Sequence, residues 1–490
     1  MERASVLRNI NSTEATTAHL PVEILSIIFL YARPSIDFST CYHPDVSQHT
    51  LHTGKDFHHT LTAVSHLWRE VALSTPQLWT TVAVRVDMRR KDPTLITSLV
   101  NLQFQRARGS PISIKLDFRD LEASRTSFTA RKTSVVSPEH LTVPMLIEHG
   151  AAIRDLVLIN PPTTLLPSLN GNLSQCQSVT IVAPVRPVGG TLDLTELPSL
   201  QRVHLIDFDL PFSLPRRITI LHLWRTKIDN VMEFLKKHRK VVDLEIIECA
   251  LLIKDCFRRP IVFPRLKYLA WSAGQDLRYY STILRQSQFP ALRSLHWSVT
   301  SPYDFAFGRS AHQPVDLSVG FFASLPPTLS SLTFTNLSSF KNNWEVAYEL
   351  LDCVPQVSDL HLVEYLDPEV GATIDDIHLS DWYSPLHVAG VYHFTLLGIG
   401  QSSGSKVLQK LYKLSITAQP YLRFREHRNI DRQKIVDMLE ALQGVGESRG
   451  RFDLSVYPDT PWDDECVLDR LKALVKDGLE VEVALSSRTN

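Results

Sequence analysis

The stretches FPRLKYLAW (263–271) and FPALRSLHW (289–297) share one spacing: an aromatic residue, a proline, a leucine two places on, another leucine three further, and a tryptophan two beyond that. Proline presets φ for a tight turn, and apolar residues two apart fall on one face of a strand. The same unit returns as LPSLQRVHL (197–205), LPPTLSSLTF (325–334) and VPQVSDLHL (354–362). Without the proline it returns as IRDLVLI (153–159), ITILHLW (218–224), VVDLEII (241–247) and LYKLSIT (411–417). A short strand cannot bury its apolar face alone, so the repetition predicts units stacked against one another.

Between these strands lie stretches with helical spacing, such as DNVMEFLKKHRK (229–240) and NNWEVAYELLDC (342–353). Strand, helix and Lxx[LIV]x[LIVW] core together resemble the leucine-rich repeat. The asparagine or cysteine expected after each strand is mostly missing, and VVDLEIIEC, ending in Cys249, is the one full match. The array is therefore expected to be irregular. At the C-terminus KIVDMLEAL reads as helix, RFDLSVY as strand, DDECVLDRLKALVKDG as helix with Gly478 as its cap, and LEVEVAL as strand, which together would cap the array. The expected fold class is α/β, with residues 83–490 forming a leucine-rich-repeat-like solenoid.

Ahead of the repeats, HLPVEILSIIFLYARPS (19–35) reads as a helix. Pro21 suits its first position and Glu23 its positive end. Ile24, Ile27, Ile28 and Tyr31 form one apolar stripe and Val22, Leu25 and Phe29 a second. One core needs only one stripe. The expectation is that Val22, Leu25 and Phe29 face the chain's own helices and Ile24, Ile28 and Tyr31 face a partner. Further on, Leu61, Val64, Leu67, Trp68, Val71 and Ala72 recur at steps of three and four before Ser74-Thr75-Pro76 ends the pattern, giving two more short helices.

LPVEIL (20–25), VSHLW (64–68) and LSTPQLW (73–79) resemble the F-box, and most closely the F-box-like variant of large fungal protein families. The resemblance implies a three-helix motif over residues 15–82 that binds the adaptor subunit of SCF-type ubiquitin ligases. It implies adaptor-contacting or motif-core roles for Leu20, Pro21, Ile24, Ile28, Val64 and Trp68, to which the stripe analysis adds Tyr31. The chain departs from the motif at His66, where a basic residue is usual, and in its long internal loop (32–58).

In each repeat strand the residue between the last two core positions points away from the core. Those positions hold His204, His222, Glu245, Ala270, His296, Thr333, His361 and Ser415. On a solenoid they line the concave face, which makes His204, His222, Glu245, His296 and His361 the candidate client-binding residues. Trp271 and Trp297 occupy core positions, whereas Trp224 lies just past one.

Composition narrows the function. Lys and Arg total 51 against 52 Asp and Glu, which argues against general nucleic-acid binding despite the local run KKHRK (236–240). The six cysteines, Cys41, Cys176, Cys249, Cys256, Cys353 and Cys466, show no CxxC spacing, and no stretch has signal-peptide or membrane-span character. An intracellular protein, cytoplasmic or nuclear, is expected, and the sequons at Asn11, Asn172 and Asn336 then carry no meaning. The loop residues Cys41, His43, His49, His52, His58 and His59 match no structural zinc spacing. Neither metal nor cofactor is expected there or on the strand face. GQSSG (400–404) has the form of a nucleophile elbow, but the only later histidine, His427, directly follows its only candidate acid, Glu426, so no catalytic triad can form. No enzyme is expected. The reading that unites these features is a substrate-recognition subunit of an SCF-type ubiquitin ligase, linked through the adaptor to a cullin and through the repeats to a protein client. The alternative is a repeat scaffold without ligase association.

Overall fold

The computed structural model describes residues 20–33, 60–85, 94–119, 146–183, 191–251, 260–272, 283–298, 315–335, 349–365, 411–419, 453–457 and 465–476, with single residues at 57, 144, 436 and 440. The chain divides into two compact units, Met1–Lys227 and Ile228–Asn490.

The first unit begins with helices α1 (Val22–Ala32) and α2 (His66–Ser74), a short 3-10 turn (Pro76–Trp79), strand β1 (Thr81–Arg85) and helix α3 (Thr94–Ala107). Strands β2 (Ile112–Asp117), β3 (Ile153–Ile159), β4 (Ser178–Val182), β5 (Arg202–Ile206) and β6 (Ile220–Trp224) follow, each pairing parallel with its predecessor. Pro21 sits one place ahead of the position expected for it: it is the cap residue of α1, extended at ψ 145°, and its carbonyl accepts from Leu25 N at 3.1 Å. Residues 60–64 are helical and are separated from α2 by Ser65, whose hydroxyl caps α2 by accepting from Trp68 N at 3.1 Å.

The second unit holds helix α4 (Val231–Lys237), strands β7 (Asp243–Ile247), β8 (Tyr268–Ser272) and β9 (Ser294–Ser298), helix α5 (Val315–Ala323), strands β10 (Ser331–Thr335), β11 (Asp359–Tyr365), β12 (Lys413–Gln419) and β13 (Asp453–Tyr457), and helix α6 (Glu465–Lys476). Its strands are again parallel and in chain order.

The proline unit works as a turn followed by a latch. In Leu197–Leu200, Phe263–Leu266, Phe289–Leu292 and Val354–Val357 the fourth residue's N–H donates to the first carbonyl, with proline second, where its fixed φ fits. The residue after each turn then offers one carbonyl to two successive N–H groups of the next repeat. Gln201 O accepts from Thr219 and Ile220, Lys267 O from Arg293 and Ser294, Arg293 O from Ser330 and Ser331, and Ser358 O from Tyr412 and Lys413, all within 2.9–3.1 Å. Each strand thus enters the sheet at a fixed register.

Strand exits also repeat. Asn160, Asp207, Arg225 and Glu248, the first residues after β3, β5, β6 and β7, all have φ of 47–53°. The residue after that holds the strand end: the Cys249 thiol contacts Ile247 O at 3.4 Å, and the Thr226 hydroxyl contacts Trp224 O at 3.1 Å. Threonine therefore does in the preceding repeat what the expected asparagine or cysteine would do.

Apolar burial follows the pattern. Leu221, Leu223, Leu244, Ile246, Leu295, Trp297, Leu332 and Phe334 are all buried. An aromatic series fills part of the second core, with Trp297 5.5 Å from both Phe321 and Phe322, and Phe322 stacked 5.8 Å from Phe334. Trp271 and Trp297 are packing residues, as their positions imply, and Trp224 is partly buried. Among the described residues no helix is long and apolar enough to cross a membrane. The loop residues 34–56, with Cys41, His43, His49 and His52, and also His58, His59, Cys256, residues 400–404, Gly478 and the final strand LEVEVAL lie outside the described residues.

Candidate functional site

Two surfaces carry the candidate residues. On α1, Leu25 and Phe29 are 1% exposed, and the Phe29 ring lies 4.8 Å from that of Trp68. Trp68, placed by the F-box resemblance among adaptor-contacting or core residues, therefore packs against α1. Ile24, Ile28 and Tyr31, at i, i+4 and i+7, share the opposite side and are 43%, 43% and 88% exposed. Val22, expected to face inward, is 50% exposed and joins Ile27 on the open side, because two large side chains, Leu25 and Phe29, already fill the contact with α2. Val64 and Pro21 are exposed and Leu20 is partly buried. The helix is held at its end by Arg33, whose guanidinium donates to Gln77 O at 2.8 Å. Beneath, Trp79 Nε1 donates to Ala72 O at 2.9 Å and the Arg106 guanidinium lies 4.4 Å over the Trp79 ring.

The second surface is the strand face opposite the core. In the first unit Thr180, His204 and His222 fall in one row across β4, β5 and β6. In the second, Glu245, Ala270, His296, Thr333, His361 and Ser415 form a row across β7 to β12. Within each unit, the strand positions singled out from the sequence are in register with one another. Two of them do not reach solvent: Ala270, a lone methyl between the longer Glu245 and His296, and Ser415 are both buried.

The electrostatics of the second row differ from a histidine-rich cationic strip. Burial, and then His361 two strands away, push the His296 pKa down to about 4. Its Nε2 lies 2.7 Å from the Thr335 hydroxyl. Burial also lowers His361, with Lys413 acting the same way and Asp359 opposing. Lys413 is itself paired with Asp359 at 3.3 Å. Tyr268 is raised by burial and by the carboxylates of Glu245 and Asp243. At neutral pH the row therefore presents neutral imidazoles beside hydroxyls, with an acidic end at β7. On the rows flanking it, the partly buried Ser294, Ser331 and Ser298 are functional candidates that the single-position reading missed, while Ser272 and Thr335 in the same rows are buried. Counting two residues either way along each strand recovers them. Cys176 is a buried thiol whose pKa is pushed up to about 12 by desolvation, which suits packing rather than nucleophilic chemistry.

These features define a mixed α/β protein of leucine-rich-repeat-like character, built on parallel strands that enter the sheet through the same latch in repeat after repeat and, after β3, β5, β6 and β7, leave it through the same turn. No family model matches the chain. No curated protein matches it either. Among solved structures it is similar to the leucine-rich repeat-containing protein LegL7 from Legionella pneumophila, at 10% identity and a TM-score of 0.28, over 64% of this chain and 78% of that one. The repeat assignment rests on the strand latches and not on that likeness.

Proposed function

We propose that the chain is a noncatalytic substrate-recognition subunit of an SCF-type ubiquitin ligase. In this reading the α1 region binds the adaptor, and through it a cullin, and the strand face binds a protein client. The observation that carries the proposal is the exposed stripe Ile24, Ile28 and Tyr31 on a helix whose other stripe is already buried, within a segment that resembles the F-box. Such a stripe is an energetic liability in isolation and a source of affinity once covered. The protein's chemistry would then be proximity, holding a client beside a ubiquitin-transferring machine.

The test is capture of the full chain by purified SCF adaptor. Unaltered protein is expected to bind, and Ile24→Asp and Ile28→Asp are each expected to abolish binding while the repeats stay folded. Failure of the unaltered chain to bind, or capture of both variants at full strength, overturns the ligase reading and leaves a repeat interaction scaffold.

A further inference from the structure

His204 on β5 and His222 on β6 are register partners on adjacent parallel strands. Their neighbours along each strand, Val203, Leu205, Leu221 and Leu223, are buried in the core. Strict alternation therefore sends both imidazoles to the same, partly open face. Their ring centroids lie 4.3 Å apart with the planes tilted by 49°.

A zinc-class cation held by one nitrogen of each ring at about 2.0–2.1 Å needs those nitrogens roughly 3.3 Å apart in tetrahedral geometry. Two rings whose centroids are 4.3 Å apart, on strands fixed by the ladder, stand within the range from which side-chain rotation is required to reach that separation. Each imidazole has two nitrogens, so one can bind metal while the other keeps a hydrogen bond that fixes the ring. Hard cations such as calcium want oxygen donors and do not suit this pair, whereas zinc, copper and nickel accept imidazole.

We propose that His204 and His222 form a two-imidazole site for a divalent transition metal of the zinc class. The remaining coordination positions would be filled by water or by a donor from a bound partner. A site with open positions can link the metal to partner binding, as a closed four-ligand site cannot. The proposal is independent of the ligase reading, since adaptor capture and metal binding are separate readouts.

The chain contains 19 histidines, so zinc stoichiometry alone is a poor guide and the loss on substitution is what decides. Zinc titration of the full chain, His204→Gln and His222→Gln by calorimetry is expected to show one class of site that each substitution weakens about tenfold or more. Unchanged circular dichroism without metal would show that the variants are folded. Absence of saturable binding by the unaltered chain, unchanged affinity in both variants, or a loss from only one of the two overturns the proposal. Should the variants fail to fold, protection of both imidazoles by zinc against diethylpyrocarbonate in the unaltered protein, mapped by mass spectrometry, decides instead: protection of both supports the site, and equal labelling with and without zinc refutes it.

Discussion

Replacing Phe29 by Ala and Ile28 by Asp, one residue apart on α1, should have opposite consequences. Leu25 and Phe29 are the buried residues of this 11-residue helix. A helix that short has little stability of its own and is held by tertiary packing. Phe29 is 1% exposed with its ring 4.8 Å from Trp68, so truncation to alanine should cost about 3–5 kcal/mol. Ile28 is 43% exposed, and a polar replacement there should change stability by no more than about 0.5 kcal/mol. Hydrogen exchange resolved to peptides covering residues 22–32 is the appropriate assay, because it reports local opening. Phe29→Ala should speed exchange there by about two to nearly four orders of magnitude, and Ile28→Asp by less than about threefold. If Ile28→Asp deprotects the helix as strongly as Phe29→Ala, the chain itself covers the stripe, and adaptor docking loses its physical basis.

Gly150 sits in a 3-10 turn just before β3, where an added Cβ would run into the backbone carbonyl of Asn172. Gly150→Ala should therefore destabilise the first unit by about 1–3 kcal/mol, visible as a lower urea midpoint; an unchanged midpoint would show that the turn relaxes freely. The pH dependence follows from His296. Its folded-state pKa of about 4 lies below the ordinary 6.5, so between these values the unfolded chain binds a proton that the folded chain resists. The stability associated with this group is complete above about pH 6.5 and is lost as the pH falls toward 4, and His361 pushes in the same direction. Urea midpoints compared at pH 7 and 5 should fall for the unaltered protein and fall less for His296→Gln; equal slopes for the two would refute the assignment.

The strands that follow a proline turn are legible in the sequence because turn, latch and two apolar positions are all local features. β8, β9, β10 and β11 lie where the pattern puts them. β2 and β4 escape it. Ile112–Asp117 is buried at all six positions, Lys115 and Asp117 included, so the alternation that marks a one-faced strand is missing. Ahead of and within Ser178–Val182 the spacing holds, with Cys176, Val179 and Ile181 all buried, but cysteine stands where the pattern has leucine, so the leucine motif does not mark this strand. The α1 stripes are legible as two stripes, but the inside pair is set by which side chains fill the gap to α2, and that leaves Val22 open. Likewise the outward positions of His204 and His222 follow from strand alternation, whereas their contact depends on pairing across 18 residues of chain, which no local pattern encodes. The neutral state of His296 is tertiary in the same sense, since it arises from desolvation and from His361 on another strand.

The shared-carbonyl latch separates register from connection length. It joins Gln201 to Thr219, 18 residues later, Arg293 to Ser330, 37 later, and Ser358 to Tyr412, 54 later, with the same two bonds each time. Tripling a connection adds only about 1 kcal/mol of closure entropy. The sheet thus behaves as a comb whose teeth are counted independently of the thread between them. A change in the length of a connecting segment therefore leaves the order and register of the outward rows to the latches.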